Sequence, residues 1–312
     1  PEFYPLHTGF TTGSCATAAA KAALVGLSTG KKVDDIDFRI PDGETMHMQI
    51  ESVTTCGDAA IATVVKDAGD DPDVTNRSRI SVKVSYAQHE GIRFFGGEGI
   101  GTVTIPGLGL PVGEAAINPI PRAMMVSELS SLYNGGLDVT ISLDGGAEIA
   151  KRTFNPRVGV FGGVSIIGTS GIVQPFSHEA FLESIRREMK VALANNCQMV
   201  AVNSGAKSEQ FMKALLPELP QQAFIHYGNA IGETMSIAMD CGIKHLIIGL
   251  MLGKAVKLAE GNLDTHSHKV TINKEFLKSL AEECGCSEKA KEGIDALSLA
   301  RELPSFLSQE DA

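Results

Sequence analysis

The sequence predicts an N-terminal α+β domain with a mixed sheet, followed by a C-terminal Rossmann-like parallel sheet with helices on both faces. Three observations predict it. Apolar and polar residues alternate in several segments of the first half. Short, continuously apolar runs separated by helical segments mark the second half, and small or polar residues follow each run. The rhythm changes near Asn155-Pro156, so the expected domains are 1–155 and 156–312.

In the first half, Ser14 to Val25 reads as an Ala-rich helix introduced by the turn Gly9-Phe10-Thr11-Thr12-Gly13. Met46, Met48 and Ile50 alternate with His47, Gln49 and Glu51, the period of a half-buried strand. Ile80, Val82, Val84 and Tyr86 repeat the pattern, as do Leu137, Val139, Ile141 and Leu143. Such two-faced strands suit a sheet with one wet face. Gly91 to Pro121 reads as a Gly/Pro-rich loop and Pro121 to Leu132 as a helix with Pro in its first turn. In the second half the expected strands are Val164–Ile167, Met199–Val202, Ala223–His226 and Leu246–Ile248. Phe181, Leu182, Ile185, Met189 and Leu193 share one face of the first intervening helix, with Ser177 placed to cap it. Two further helical segments follow Lys269.

With 312 residues, 43% hydrophobic and 21% charged, the chain has the composition of an ordered globular protein. A formal net charge of −10 argues against nucleic acid or an anionic membrane as partner, since both need a basic footprint. It leaves room for an anionic small molecule, because a few cations govern a pocket locally. The six cysteines form no CxxC pair, and Cys284-Gly285-Cys286 lacks the usual zinc spacing, so all six are read as reduced thiols. No apolar run approaches the roughly 20 residues of a membrane span and no signal-peptide pattern is read, so a cytoplasmic location is expected.

Ligands of open parallel sheets bind beyond the carboxyl ends of the strands. There this sequence carries Gly168-Thr169-Ser170-Gly171, Asn203-Ser204-Gly205, Gly228-Asn229-Ala230-Ile231-Gly232, and Gly249 through Gly253-Lys254. Any one such turn needs glycine for steric reasons alone; four at one edge point to a binding site. None matches the dinucleotide or Walker pattern. The segment from Thr11 to Cys15 places hydroxyls and a thiol at a helix start, which favours an anionic ligand. Its plainer reading is a cap by Thr12 or Ser14 with Cys15 packed inside; an exposed Cys15 would have a lowered pKa.

The Gly9–Lys21 segment resembles the amino-terminal signature of the cobalt-precorrin-5B C(1)-methyltransferases of cobalamin biosynthesis. Three more blocks resemble the same family in order: Gly97–Thr104 with Gly113–Arg122, Thr153–Arg157 with Gly162–Val173, and Gly228–Gly232 with Gly253–Gly261 and Thr265–His268. Met251 departs from it, standing where the family pattern leads one to expect His. The resemblance implies methyl transfer from S-adenosylmethionine to C-1 of cobalt-precorrin-5B, giving cobalt-precorrin-6A, on the anaerobic route. Cobalt then arrives only inside the substrate, and no protein-bound metal is expected. A sulfonium donor is already activated, so alignment and exclusion of water are the main demands.

The carboxylate-rich corrinoid precursor needs donors, for which the candidates are Thr11, Thr12, Ser14, Cys15, Arg122, Lys254 and Lys257. Gly168, Thr169, Ser170, Gly171, Asn203, Ser204, Gly205, Gly228, Asn229 and Gly232 are expected to hold the methyl donor. His266 and His268 also stand as carboxylate donors, as weak catalytic candidates, and as a metal pair lacking a third ligand. The expected partner is the small corrinoid precursor, with a homo-oligomer admitted and neither nucleic acid nor membrane. The competing readings are a nonenzymatic tetrapyrrole or nucleotide carrier, and an acyl- or phosphoryl-transfer enzyme built on the Thr11–Cys15 turn.

Overall fold

A computed structural model describes residues 5–263, 265, 273–297 and 300–305. The chain packs as two compact units, Pro1–His178 and Glu179–Ala312. Residues 156–178, which the change of sequence rhythm assigns to the second half, therefore pack with the first.

In the first unit β1 (Gly9–Phe10) leads into α1 (Thr12–Thr29). Then come β2 (Asp35–Arg39), β3 (Thr45–Gln49), β4 (Ser52–Cys56), β5 (Ala59–Val65), β6 (Arg79–Ala87), β7 (Ile92–Gly96) and β8 (Thr102–Val103). They are followed by α2 (Pro119–Ser130), β9 (Gly136–Leu143), α3 (Gly146–Ala150), β10 (Val160–Phe161) and β11 (Ile172–Val173). Five strands form one sheet in the order β4-β5-β6-β9-β7, antiparallel except for the parallel pair β7 and β9. Ile80 pairs with Leu143, Val82 with Ile141 and Val84 with Val139, so the alternating apolar residues share one face. That face, with Ala60, Ala62 and Val64 of β5, is buried in one core with α1 and α2.

α1 is longer than its Ala-rich centre because both ends are capped. Thr11 accepts the Ser14 N–H at 3.1 Å, and Gly30, at φ +64°, donates its N–H to Gly26 O at 2.9 Å. Ala16, Ala18, Ala19, Ala20, Ala22 and Ala23 are fully buried, so small side chains surround the helix and its neighbours approach closely. A Cβ at Gly13 would stand 2.7 Å from Pro121 of α2, and one at Gly26 2.6 Å from Val53 of β4.

Two expectations are corrected here. The Gly91–Pro121 stretch is not all loop: it carries β7 and β8. β7 is a short edge strand that pairs only with β9, 45 positions on at its first residue (Ile92 with Leu137), and glycines flank it, so no local period reveals it. Nor is Val164–Ile167 a strand of the C-terminal sheet. Val164 and Ile166 make parallel bridges to Ile100 and Ile117 of the first unit. Both are buried while Ile167 is exposed, so the run has one wet face. Four apolar letters in a row do not distinguish these environments.

The second unit contains α4 (His178–Ala194), β12 (Met199–Asn203), α5 (Ala206–Leu215), β13 (Phe224–His226), α6 (Ile231–Cys241), β14 (His245–Gly249) and α7 (Leu252–Ala259). α8 (Lys274–Glu283) and α9 (Glu288–Ala296) are the two helical segments expected after Lys269. Among the described residues the sheet is parallel and three-stranded, in the order β13-β12-β14, and Val164–Ile167 is not its fourth strand. Val200, Val202 and Ile225 pack with Ile185 and Met189 of α4 and Ile231 and Ile237 of α6. The intervening residues Ala201, Phe224 and Ile247 pack with Met212 of α5. Among the described residues no helix is long and apolar enough to cross a membrane.

The first unit also buries a charge pair. Lys66 Nζ, with no side-chain exposure, lies 2.8 Å from Asp73 Oδ2, and Asp73 Oδ1 accepts from the Thr75 hydroxyl at 2.6 Å and its N–H at 2.7 Å. Burial alone would raise the Asp73 pKa. The Lys66 charge and the hydrogen bonds from Lys66 and Thr75 outweigh it and hold the carboxyl below its usual range. A carboxyl depressed on folding contributes stability above its unfolded pKa of about 3.9 and loses it as pH falls through the lower folded value. Asp73→Asn, which leaves the Lys66 ammonium buried without its partner, is expected to destabilise the first unit by about 3 kcal/mol at pH 7 in urea denaturation. The wild-type advantage should shrink as the pH is taken below 4; an advantage that does not shrink would exclude this role for the pair.

Candidate functional site

The carboxyl edge of the second unit's sheet brings several polar residues to one level. Asn203 ends β12, His226 ends β13 and Gly249 ends β14, and the register pairs Asn203 with both of the others. By strand alternation all three belong to the α5 face, with Ala201, Phe224 and Ile247. Gly249 is required by packing, since a Cβ there would stand 2.6 Å from Met212 Cγ. Asn203 is fully buried, and neither its amide nitrogen nor its amide oxygen has a hydrogen-bond partner. A carboxamide so placed offers a donor and an acceptor side by side, and leaving both unpaired is costly.

Beside Asn203, His226 Nε2 makes a short hydrogen bond to Glu209 Oε2 of α5, and the other Glu209 oxygen lies 2.5 Å from Lys213 Nζ. The Asn203–Gly205 turn is tied to the first turn of α5. The Ser208 hydroxyl accepts the Gly205 N–H at 3.1 Å and lies 3.1 Å from the Ser204 hydroxyl. From the other side Lys254 Nζ donates to Gly228 O and sits 5.4 Å above the ring of buried Tyr227. Burial, then the neighbouring Lys257 charge, lower the Lys254 pKa; burial pushes the Tyr227 phenol up to about 12. Lys257 is buried, with Nζ 3.5 Å from Thr265 O, and the buried Thr265 hydroxyl has no partner. Gly228 has φ +59°, and a Cβ at Gly232 would stand 2.9 Å from Leu263. The Asn229 carbonyl accepts the Thr265 N–H at 3.4 Å.

Asn203, Ser204, Gly205, Gly228, Asn229, Gly232 and Lys254 thus lie on the strand ends, turns and helix starts of one sheet edge, and Lys257 lies in the last turn of α7. Gly168, Thr169, Ser170 and Gly171 do not join that edge, because they belong to the first unit and meet the start of α1. The Gly13 N–H donates to Ile167 O at 2.9 Å, and the Thr11 N–H to Gly171 O at 3.1 Å. The Ser14 hydroxyl donates to Gly171 O at 2.6 Å, and the Ile167 N–H donates to Thr12 Oγ1 at 2.9 Å. The Thr11 and Gly13 N–H groups and the Ser14 hydroxyl are thus engaged by backbone carbonyls of the same unit, and the Ser14 N–H by the Thr11 side chain. Cys15 is fully buried, and burial pushes its thiol up to about 12 against the opposing influence of Lys66, so the lowered pKa of an exposed thiol does not arise.

Arg122 clamps a loop: Nε donates to Ile117 O at 2.8 Å, and Nη2 reaches Glu114 Oε2 at 2.7 Å. Met251, at the cap of α7, is partly exposed. His266 and His268 lie outside the described residues. Among the described residues no three His, Cys, Asp or Glu side chains are grouped to hold a metal ion. Sequence reasoning passed over Glu209, His226 and Tyr227. The available signal was a polar residue closing the apolar run Ala223–His226 at the ligand-facing end of a parallel strand.

The burial of Cys15 has a direct chemical consequence. Ellman's reagent at pH 8 is expected to titrate the exposed Cys56 and Cys284 in the folded chain and to reach Cys15 only on unfolding. Cys15→Ala should retain turnover. Rapid labelling of Cys15, or abolished turnover, would restore the acyl- or phosphoryl-transfer reading of this turn.

Residues 2–175 match the family model described as CbiD, more than half of the chain. A protein of Prosthecochloris aestuarii described as cobalt-precorrin-5B C(1)-methyltransferase is 45% identical over 307 residues, covering 96% of this chain and 83% of that one. Proteins of the same description from Geobacillus thermodenitrificans and Thermus thermophilus are 43% and 41% identical, each covering 97% of this chain and respectively 83% and 82% of their own. A crystal structure of a cobalamin biosynthesis protein (cbiD) from Archaeoglobus fulgidus is 27% identical, with a TM-score of 0.45 over 85% of this chain and 83% of that chain. The four sequence blocks and the near full-length identity agree: the chain belongs to the CbiD family, that of the cobalt-precorrin-5B C(1)-methyltransferases.

Proposed function

We propose that this chain transfers a methyl group from S-adenosylmethionine to C-1 of cobalt-precorrin-5B, giving cobalt-precorrin-6A in cobalamin biosynthesis. Near full-length identity to relatives of that description carries the reading. Family membership supports cobalt-precorrin C-methyltransferase activity as the broader statement, and the C-1 step is the finer one proposed here. Cobalt enters as part of the substrate.

The donor is assigned to the carboxyl edge of the second unit, read as a Rossmann-like sheet. The buried, unpartnered amide of Asn203 supports the fit, because it offers paired hydrogen-bonding groups of the kind an adenine edge or an amino-acid moiety accepts. Gly205 and Gly228 let backbone approach there without a side chain in the way. When bound, S-adenosylmethionine supplies a methyl group already activated by its sulfonium. Asn203 holds and orients, while the apolar layer around Tyr227 excludes water. Lys254 and Lys257 meet substrate carboxylates. Thr11, Thr12, Ser14 and Arg122 serve to fix the 165–171 and 114–118 segments.

Anaerobic incubation with methyl-labelled S-adenosylmethionine and cobalt-precorrin-5B is expected to move the label into the macrocycle. Binding of both ligands without transfer would favour a nonenzymatic carrier. Asn203→Leu supplies a sharper test. Removing an unpaired buried amide should leave the stability of the unliganded chain unchanged or raise it by about 1 kcal/mol, while weakening donor binding about tenfold or more. Calorimetry with S-adenosylhomocysteine and thermal denaturation read the two effects; unchanged affinity would remove Asn203 from the donor site.

A further inference from the structure

We propose that the first unit carries a small-molecule site of its own, a cavity that binds an α-amino-acid zwitterion with its carboxylate on Arg77 and its ammonium on Asp67. The site stands apart from the methyltransferase reading. Between β5 and β6 the chain forms an open cavity of about 320 Å³, lined by Val65, Lys66, Asp67, Gly69, Asn76 and Arg77. That volume lies at the low end of the range for small-ligand sites. Its walls are tied together by the chain itself. The Lys66 N–H donates to Ser78 O at 2.9 Å, the Arg77 N–H to Lys66 O at 2.8 Å and the Ala68 N–H to Asn76 Oδ1 at 3.0 Å. A cavity so held needs little ordering when a ligand enters.

The charges on its wall select the ligand. Lys66 is neutralised by Asp73 at 2.8 Å. Asp70 and Asp71 face away from the lining and accept from the His7 and Phe176 N–H groups at 2.7 and 3.0 Å. Asp67 and Arg77 remain. Asp67 Oδ1 accepts the Gly69 N–H at 2.9 Å, which fixes the carboxylate and leaves Oδ2 without a hydrogen bond among the described residues. The Arg77 side chain makes no hydrogen bond, ion pair or ring contact among the described residues, although four aspartates share its connection. Arg77 also holds φ +63°, which glycine would adopt at less cost, so the turn alone does not account for an arginine there. One fixed carboxylate and one free guanidinium sum to no net charge. They match a ligand that carries both charges better than a simple anion or cation. Asn76 Nδ2 adds a donor, and Val65, 43% exposed, adds an apolar wall for the ligand's side chain.

Free α-amino acids and the amino-acid end of S-adenosylmethionine share this chemistry, and calorimetry on the full chain separates them. The probes are L-methionine, its decarboxylated and deaminated analogues, and S-adenosylhomocysteine. L-Methionine is expected to bind with a Kd of about 1 mM or tighter, and each single-charge analogue about tenfold more weakly or worse. Arg77→Gly should weaken zwitterion binding about tenfold or more while Tm holds or rises, because glycine tolerates φ +63°. Asp67→Asn keeps the acceptor for the Gly69 N–H and should weaken binding to a similar extent at unchanged Tm. Loss of L-methionine affinity with S-adenosylhomocysteine affinity unchanged supports a site for a free amino acid. Loss of S-adenosylhomocysteine affinity in both variants supports the same site as the seat of the donor's amino-acid end, and would displace that end from the Asn203 edge. The inference is overturned if neither ligand's binding responds to the two substitutions, or if the deaminated analogue binds as tightly as L-methionine.

Discussion

The first unit depends on how the start of α1 is satisfied. A helix leaves its first N–H groups without intrahelical partners, and burying them unpaired is expensive. Here the carbonyls of Ile167 and Gly171, some 155 residues along the chain, accept from Gly13, Thr11 and Ser14. A close approach of this kind requires glycine: a Cβ at Gly168 would stand 2.3 Å from Thr11 Oγ1. With its start pinned, the small-residue helix settles between α2 and the one apolar face of the sheet. The 156–178 segment stays with the first unit for the same reason.

The second unit uses similar vocabulary to a different end. Its strands are parallel, so all three finish at one edge, and the register aligns their last residues. The helix starts and glycine turns at that edge are not all closed by the chain itself. The Asn203 amide and the Thr265 hydroxyl remain buried without partners, against the general rule that buried polar groups are paired. Each such group costs about 1–3 kcal/mol, a burden a fold carries where a ligand completes the bonding. The same sequence cue, hydroxyl and glycine at a helix start, is closed by distant carbonyls in one unit and stands beside unpartnered buried polar groups in the other. The difference lies in whether a carbonyl from elsewhere reaches it.

Charge is arranged locally against an overall excess of −10. Lys213 and His226 converge on Glu209, while Lys254 and Lys257 stand together near the turns after β13 and β14, where burial and mutual repulsion weaken the hold of Lys254 on its proton. Net charge governs partners at a distance beyond the screening length; groups within a few ångströms govern the chemistry of a buried edge.

Much of the fold was legible because its signals are local. Alternation over Ile80–Tyr86 and Leu137–Leu143 reports a half-buried strand wherever that strand pairs, and the Ala-rich run after Thr11 reports a helix whatever covers it. Ordered glycine-rich blocks made the family legible as well. β7 and the true neighbours of Val164–Ile167 were not legible, because pairing is a contact between distant segments and leaves no period in either. The candidate site divides the same way. The glycine turns after β12 and β13 could be read from the chain, but Glu209 and His226 could not be joined, since one lies on a helix and the other closes an apolar run. The sequence by itself determined the elements, the family and the residue types at the strand ends. Only the tertiary structure decided which helix start is closed by carbonyls and which polar groups are left buried without partners, because hydrogen-bond partnership depends on three-dimensional proximity that residue order does not encode.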